Sequence, residues 1–406
     1  MTSKSYPNRS ETFILDFVND VEIVSTWKAL TDTCKIIIPK NVYVQTPTGN
    51  VAWADLDLYV NTDQAPVFLR GDKVTVELGY EYDPGDGNYI VQTNQEFSGY
   101  ITKVNPKIPI EIECEDNMWL LKQAQCPNKV FPMKDWNTTT IIQYLLKNAT
   151  VNSDNPFLTN VIIPTLATFN VTDGTTASQG VNNSVTDFRT QNETIAQVLQ
   201  RLKKDYLLEC FFRGNTLFVT AIVYYPVDFY IGGAISSTVY DFEKNIVKND
   251  MIYQRKDDIR LGIKAHCQNI MHPGTVNSAG KQKTKKVRLE ASVGDPDGEI
   301  RTMNFIDSPN DPIKDVKTLE AHALPFLTKL KIEGWKGNFT SFGLPIVRHG
   351  EAITLSSEIT PERIGTYLVK KTTVKFNEQG FRRINEPHIR IGGTFGLKPA
   401  DFINGL

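Results

Sequence analysis

The sequence predicts an α+β chain that is predominantly β, with antiparallel β modules at both ends and α+β material between them. Three observations carry this. Apolar residues alternate with polar ones at period two near the N-terminal third and again toward the C-terminus, whereas stripes of period 3.6 occur only in between. Clusters of Gly, Pro, Asn and Asp separate the alternating runs at hairpin distances. A length of 406 residues allows two to four domains, each with a core of its own.

In Lys73-Val74-Thr75-Val76-Glu77-Leu78-Gly79-Tyr80, Val74, Val76, Leu78 and Tyr80 share one face, as a half-buried antiparallel strand requires. Asp83-Pro84-Gly85-Asp86-Gly87-Asn88 is dense turn chemistry and Tyr89-Ile90-Val91 resumes a strand, so the segment reads as a long hairpin. A second crossing joins 96–104 to 109–114 through the turn Asn105-Pro106-Lys107, with Ile110, Ile112 and Cys114 alternating with Glu111 and Glu113. The segment up to Cys114 therefore predicts a compact antiparallel barrel or sandwich.

The period then changes. Behind Thr138-Thr139-Thr140, candidate N-caps, Ile141, Ile142, Leu145 and Leu146 form a helical stripe. The span 148–192, rich in Asn, Thr, Ser and Gly, reads as surface loops around a short strand near Val161-Ile162-Ile163. Residues 194–206 place Ile195, Val198, Leu199 and Leu202 on one helical face, and 207–223 read as a hairpin about Arg213-Gly214-Asn215. Past Tyr240 the β signal returns, with Ile259, Leu261 and Ile263 on one face. A polar, partly basic loop over 271–299 carries Lys281, Lys283, Lys285, Lys286 and Arg288. A helix near 312–332 is marked by Val316, Leu319, Ala323, Phe326, Leu327 and Leu330, with Pro325 predicting a kink or an early stop. Strands at 337–342, 352–356, 366–376 and 382–391 close the chain.

Composition narrows the function classes. Forty-four basic and 46 acidic residues leave a formal charge of −2, which gives no bulk attraction to nucleic acid or to an anionic membrane. The polar N-terminus has no leader-like apolar core, and no run approaches about 18 apolar residues, so neither secretion nor a membrane span is expected. Cys34, Cys114, Cys126, Cys210 and Cys267 are scattered without a CxxC pair, which predicts buried reduced thiols rather than a zinc site.

The search for chemistry is mostly negative. HExxH, GxSxG, the P-loop and a helix-opening GxGxxG are all missing. His266 and His272 near Cys267 fit no common metal-ligand spacing, and His349 and His388 fall in turns between strands, where surface or hydrogen-bonded imidazoles are expected. Aromatic residues, 10% of the chain, are embedded in strand patterns and suit core or interface packing. No catalytic residue, cofactor-binding residue, cofactor or metal ligand is assigned, which favours a binding or structural role. The run from Lys281 to Arg288 offers a contact to phosphates or an acidic partner, against the plainer reading of a solvated loop.

A resemblance adds to this reading. The series from Phe68-Leu69-Arg70-Gly71-Asp72 through the strand ending at Gly79-Tyr80, then Phe97-Ser98-Gly99-Tyr100-Ile101, then Ile110-Glu111-Ile112-Glu113-Cys114-Glu115-Asp116 with Leu120-Leu121, resembles contractile-tail baseplate hub proteins. That family includes the central hub of T-even phages, the late-control protein D group and the N-terminal part of VgrG proteins. The helix and hairpin of 194–219 and the closing run of 339–384 are similar to the same family, in the same order.

The resemblance implies two tail-tube-type antiparallel β-barrels with inserted α+β domains: a first barrel over 1–120, an α+β domain over 121–230, the start of a second barrel over 231–345, and closing strands with a C-terminal tail over 346–406. It implies a homotrimer whose six barrels form a ring joining a six-fold tail tube to a three-fold central spike. Expected partners are the chain itself, the tail tube protein, the central spike protein, other baseplate proteins and genomic DNA passing without specific binding. The expected location is the virion tail baseplate, assembled in the host bacterial cytoplasm, with no enzymatic activity. Asp83, Asp86 and Asn88 at the hairpin tip, and Lys281, Lys283, Lys285, Lys286 and Arg288, are the candidate inter-subunit or partner contacts. Spike and wall-degrading functions are expected on other polypeptides. A receptor- or glycan-binding tail tip protein is the alternative, suggested by Tyr and Trp content and the loops of 148–192. A tail-associated wall hydrolase is weaker still.

Overall fold

The computed structural model describes residues 2–3, 12, 14–15, 17–45, 51–55, 68–85, 87–105, 107–132, 136, 138–151, 158–160, 165–169, 188–206, 209–220, 238–255, 258–271, 285–306, 313, 315–331, 334–359 and 364–392. The architecture is α+β and predominantly β. The predicted strand at Val161-Ile162-Ile163 and the C-terminal tail beyond 392 lie outside the described residues.

An eleven-stranded sheet organises the chain. Its main path runs Ile246–Asn249, Phe339–Phe342, Gly380–Gly392, Gly365–Asn377, Asp20–Thr26, Thr33–Ile38, Ile110–Glu115, Ile90–Asn105 and Lys73–Tyr82. Ala352–Ser356 also pairs with Gly365–Asn377 and carries Thr238–Asp241 in parallel. N- and C-terminal strands are thus neighbours, with Val21 to Thr26 registered against Phe376 to Lys371.

Two cores hang on this sheet. The inward residues of the alternating N-terminal strands, among them Val21, Ile23, Ile36, Val76, Leu78, Ile101 and Ile112, pack together and are completed by Val374 and Phe381 from the C-terminal hairpin. Tyr80, on the terminal strand, donates its hydroxyl to the Phe381 carbonyl at 2.8 Å and accepts from the Gly343 N–H at 3.0 Å. The sheet therefore curls until its edge meets the strand Gly380–Gly392. The second core gathers Tyr240, Phe339, Ile353, Leu355, Tyr367 and Val369. One hairpin, Gly365–Asn377 with Gly380–Gly392, supplies apolar side chains to both.

The first insertion begins at a side-chain turn, Asp116 Oδ1 accepting from the Met118 N–H at 3.0 Å, that leads into the short helix Met118–Gln123. The helices Thr138–Asn148 and Ile195–Tyr206 bury the stripes that their periodicity predicts, against the hairpin Glu209–Arg213 and Thr216–Thr220. Thr194 and Gln197 form a reciprocal capping box, each side chain accepting from the other's backbone N–H at 3.3 and 2.8 Å.

The second insertion corrects the later half of the predicted loop over 271–299, whose residues 272–284 lie outside the described ones. Lys285–Gly294 is a strand, paired antiparallel with Leu261–Met271, which pairs in parallel with Glu299–Ile306. Val287, Leu289, Ala291 and Val293 alternate with exposed Arg288, Glu290 and Ser292, so period two was present beneath the charge. The short crossing at 295–298 wraps the start of the central strand; Gly294 has φ +95°, and a Cβ there would lie 2.5 Å from the Leu261 carbonyl oxygen. The helix Val316–Leu330, capped by Asp315 at 2.8 Å from the Thr318 N–H, packs Leu319, Ala323 and Leu327 on this sheet. The early stop expected from Pro325 does not occur, because packing on both sides of the proline holds the helix down.

Candidate contact surfaces and the buried module junction

The predicted hairpin tip projects. All described residues from 81 to 93 are exposed. Asp83 Oδ1 accepts from the N–H groups of Gly85 and Gly87 at 2.8 and 3.1 Å, so this carboxylate shapes the turn. Asn88 is exposed, and Asp86 lies outside the described residues. What sequence reasoning missed is the apolar flank: Tyr82, Tyr89, Ile90 and Val91 are 47, 70, 43 and 63% exposed. The signal was available, since Tyr89-Ile90-Val91 is an unbroken apolar run beside a turn rather than an alternation.

The basic run behaves differently. Lys281 and Lys283 lie outside the described residues. The backbones of Lys285 and Lys286 pair with Met271 and Ile270. Arg288 is exposed, sits 3.0 Å from Glu290 Oε1 and approaches His266 Nδ1 at 3.4 Å. An exposed pair of this kind contributes little to stability. The hairpin tip and the basic strand belong to different sheets, so the two predicted contact regions do not share one.

A third feature joins the modules. Asp32, in the turn after Asp20–Thr26, lies 3.5 Å from His349 Nε2 and donates its own N–H to Asp116 Oδ2 at 3.3 Å. Arg213 of the first insertion reaches Glu351 at 2.7 Å and the His349 carbonyl. Arg348 donates to the Gln95 carbonyl at 2.9 Å. Arg383, from the C-terminal hairpin, pairs with Glu96 at 2.6 Å and donates to the carbonyls of Gly343 and Val347 at 3.0 and 3.1 Å. Asp32, Glu96, Asp116, Arg213, Arg348, His349 and Arg383, with Ser25, Ser98 and Thr372, line a cavity of about 120 Å³.

Burial, reinforced by the Asp32 charge, pushes the Asp116 carboxyl well above the usual carboxylate range. Burial likewise holds His349 below its ordinary value, although Asp32 pulls the other way. His349 is therefore a neutral imidazole, fully enclosed and packed edge-on against Phe211 at 4.7 Å. The Asp32–His349 contact joins the turn after Asp20–Thr26 to the segment before Ala352–Ser356. Among the described residues no group of three His, Cys, Asp or Glu is placed to hold a metal ion. The five cysteines are all buried, and burial pushes the thiols of Cys114, Cys126 and Cys210 up to about 12.

No protein-family model and no curated protein matches the sequence. Solved structures do. The fold is similar to that of the 43 kDa tail protein of prophage MuSo2 from Shewanella oneidensis, with a TM-score of 0.50 and 12% identity over 94% of this chain and 98% of that one. A tail protein from Neisseria meningitidis MC58 gives 0.46 and 10% over 93% and 95% of the two chains. An E. coli component of the type VI secretion system, described as structurally similar to the T4 bacteriophage tail proteins gp27 and gp5, gives 0.42 and 8% over 96% and 80%.

Proposed function

We propose that the chain is a structural baseplate hub of a phage tail or of a related contractile injection system. In this reading three copies form an adaptor between a six-fold tail tube and a three-fold central spike, located in the virion tail baseplate and bound to other baseplate proteins. The observation that supports it most is the pair of apolar cores fixed to one continuous sheet by a shared hairpin. Two cores locked together in each of three chains supply six positions, which is what a junction between six-fold and three-fold symmetry needs. The likeness of fold to a prophage tail protein, over nearly all of both chains, agrees with this reading.

The barrels would come from the parts predicted at 1–120 and 231–345 together with the closing strands, with the α+β domain of 121–230 facing outward. The projecting hairpin fits a neighbour better than water, since four large apolar side chains are exposed beside one turn. Asp83 would then hold the tip while Asn88, Tyr89 and Val91 make the contact. A net charge of −2 suits a lumen through which DNA passes without being retained.

Mass photometry of the purified chain, alone and mixed with tube and spike proteins of the same particle, tests the proposal. The expected result is a threefold mass and three-fold rings in negative stain. A chain that stays monomeric in the presence of both partners overturns it.

A further inference from the structure

We propose that the cleft where the first insertion, the second insertion and the C-terminal hairpin meet binds a phosphate-type dianion, as free phosphate or as a phosphomonoester. This inference is independent of the hub reading. The cleft has a volume of about 430 Å³, within the roughly 300–1,000 Å³ span of small-molecule sites.

Its charges do not balance. Lys28, Arg260, Arg301, Lys336 and Lys370 line the cleft against the carboxylates Glu209, Glu299 and Glu386. Three of the cations have carboxylate partners: Lys370 with Glu386, Arg301 with Glu299 at 3.1 Å, and Arg260 with Asp295 at 2.7 Å. Glu209 is held by Lys203. Lys28 and Lys336 have no carboxylate partner among the described residues. Two positive charges with no carboxylate at ion-pair distance thus face one concave surface, Glu386 and Glu299 acting on Lys28 only from farther off, and together they suit a doubly charged oxyanion.

A hydrogen-bonding group completes the site. His388 is partly buried in the wall, its ring centroid 5.9 Å from that of Trp27, and its nitrogens make no hydrogen bond among the described residues. Burial, followed by Lys28, Lys370 and Arg301, pushes its pKa down to about 3, so at neutral pH it is an uncharged donor and acceptor. Lys28 is itself lowered, by burial and then by Lys370 and Arg301. An anion seated among these cations would relieve their repulsion and take the imidazole N–H.

Isothermal titration of the full chain tests this, with inorganic phosphate in one arm and adenosine monophosphate in the other, at constant ionic strength set with chloride. The expected result is saturable one-site binding, weakened about tenfold by Lys28→Ala or Lys336→Ala, the size expected for loss of one charge-assisted contact. Neither lysine belongs to an apolar core, so these variants should fold, which a circular dichroism melt checks. Lys122→Ala, which removes a cation paired with Glu115 at 2.6 Å outside the cleft, should leave binding unchanged. Tighter binding of the nucleotide assigns the site to phosphomonoesters, and equal binding assigns it to free phosphate. Absence of saturation in both arms, or an equal loss in Lys122→Ala, overturns the proposal.

Discussion

Arg383 and Glu96 are 1 and 2% exposed in their side chains, and together they tie the C-terminal hairpin to the second crossing of the first module. A buried pair of this kind repays its desolvation only while both partners are present. Arg383→Ala should therefore cost about 3–5 kcal/mol in urea unfolding, because Glu96 is left buried without its partner. The double variant Glu96→Leu with Arg383→Met should recover most of that loss; a double variant as unstable as the single one would show that the arginine acts through its carbonyl contacts instead. His388 makes a prediction of different form. Its pKa in the folded chain is about 3, against about 6.5 unfolded, so the unfolded state takes up a proton that the folded state refuses. Its contribution is whole above pH 6.5 and is lost as the pH falls toward 3. In phosphate-free buffer this single group should remove up to about 2 kcal/mol by pH 5, and His388→Gln should flatten the profile accordingly. Asp116, raised rather than lowered, works with the opposite sign, so the comparison is between variants and not between absolute stabilities. Identical slopes in the two proteins would clear His388 of any role in acid sensitivity.

At the scale of elements, the hairpin of Lys73–Tyr82 with Ile90–Asn105 divides into a buried half and an exposed half. Its inner half carries Val76, Leu78, Phe97 and Ile101 into the core, whereas the described residues of its outer half, 81–93, are all exposed. Tyr89→Ser with Val91→Ser should thus leave the unfolding midpoint within about 0.5 kcal/mol of the parent, as surface changes do. The same variant should lower the fraction of assembled material in sedimentation velocity. A large loss of stability with unchanged assembly would place these side chains in the fold and not at a contact. This hairpin was legible in the sequence because alternation, turn chemistry and strand length agree there. The strand Lys285–Gly294 was not, because Lys and Arg at its outward positions mask four inward apolar residues, of which only Ala291 is fully buried. The polar junction was hidden for another reason. Asp32, Asp116, Arg213, His349 and Arg383 are far apart in the chain, and nothing local marks any of them as a partner of the others.

At the scale of the whole molecule, the first and last strands depend on each other. Thr26 donates its hydroxyl to the Lys370 carbonyl across 344 positions of sequence, at 2.9 Å, and the ladder beside it runs to Val21 and Phe376. No periodicity in either segment could have announced this pairing, since period two tells which face of a strand is buried and not which strand lies alongside. The consequence concerns folding order. The N-terminal module holds most of its own apolar residues, yet its core is closed by Val374 and Phe381, and one edge of Asp20–Thr26 is covered only by the C-terminal hairpin. An open edge and an incomplete core are the conditions for marginal stability and promiscuous strand pairing. A fragment of residues 1–120 should therefore show no cooperative urea transition and should associate non-specifically, while a peptide of residues 365–392 added in trans should restore a sigmoidal transition. Because contacts of such sequence separation form late, the full chain should also refold slowly for its size. Cooperative unfolding of the fragment by itself would mean that the terminal pairing decorates a finished barrel. The expected failure means instead that the module cannot hold its projecting hairpin on a stable frame until the last strands exist, so that any assembly through that hairpin waits for a finished chain.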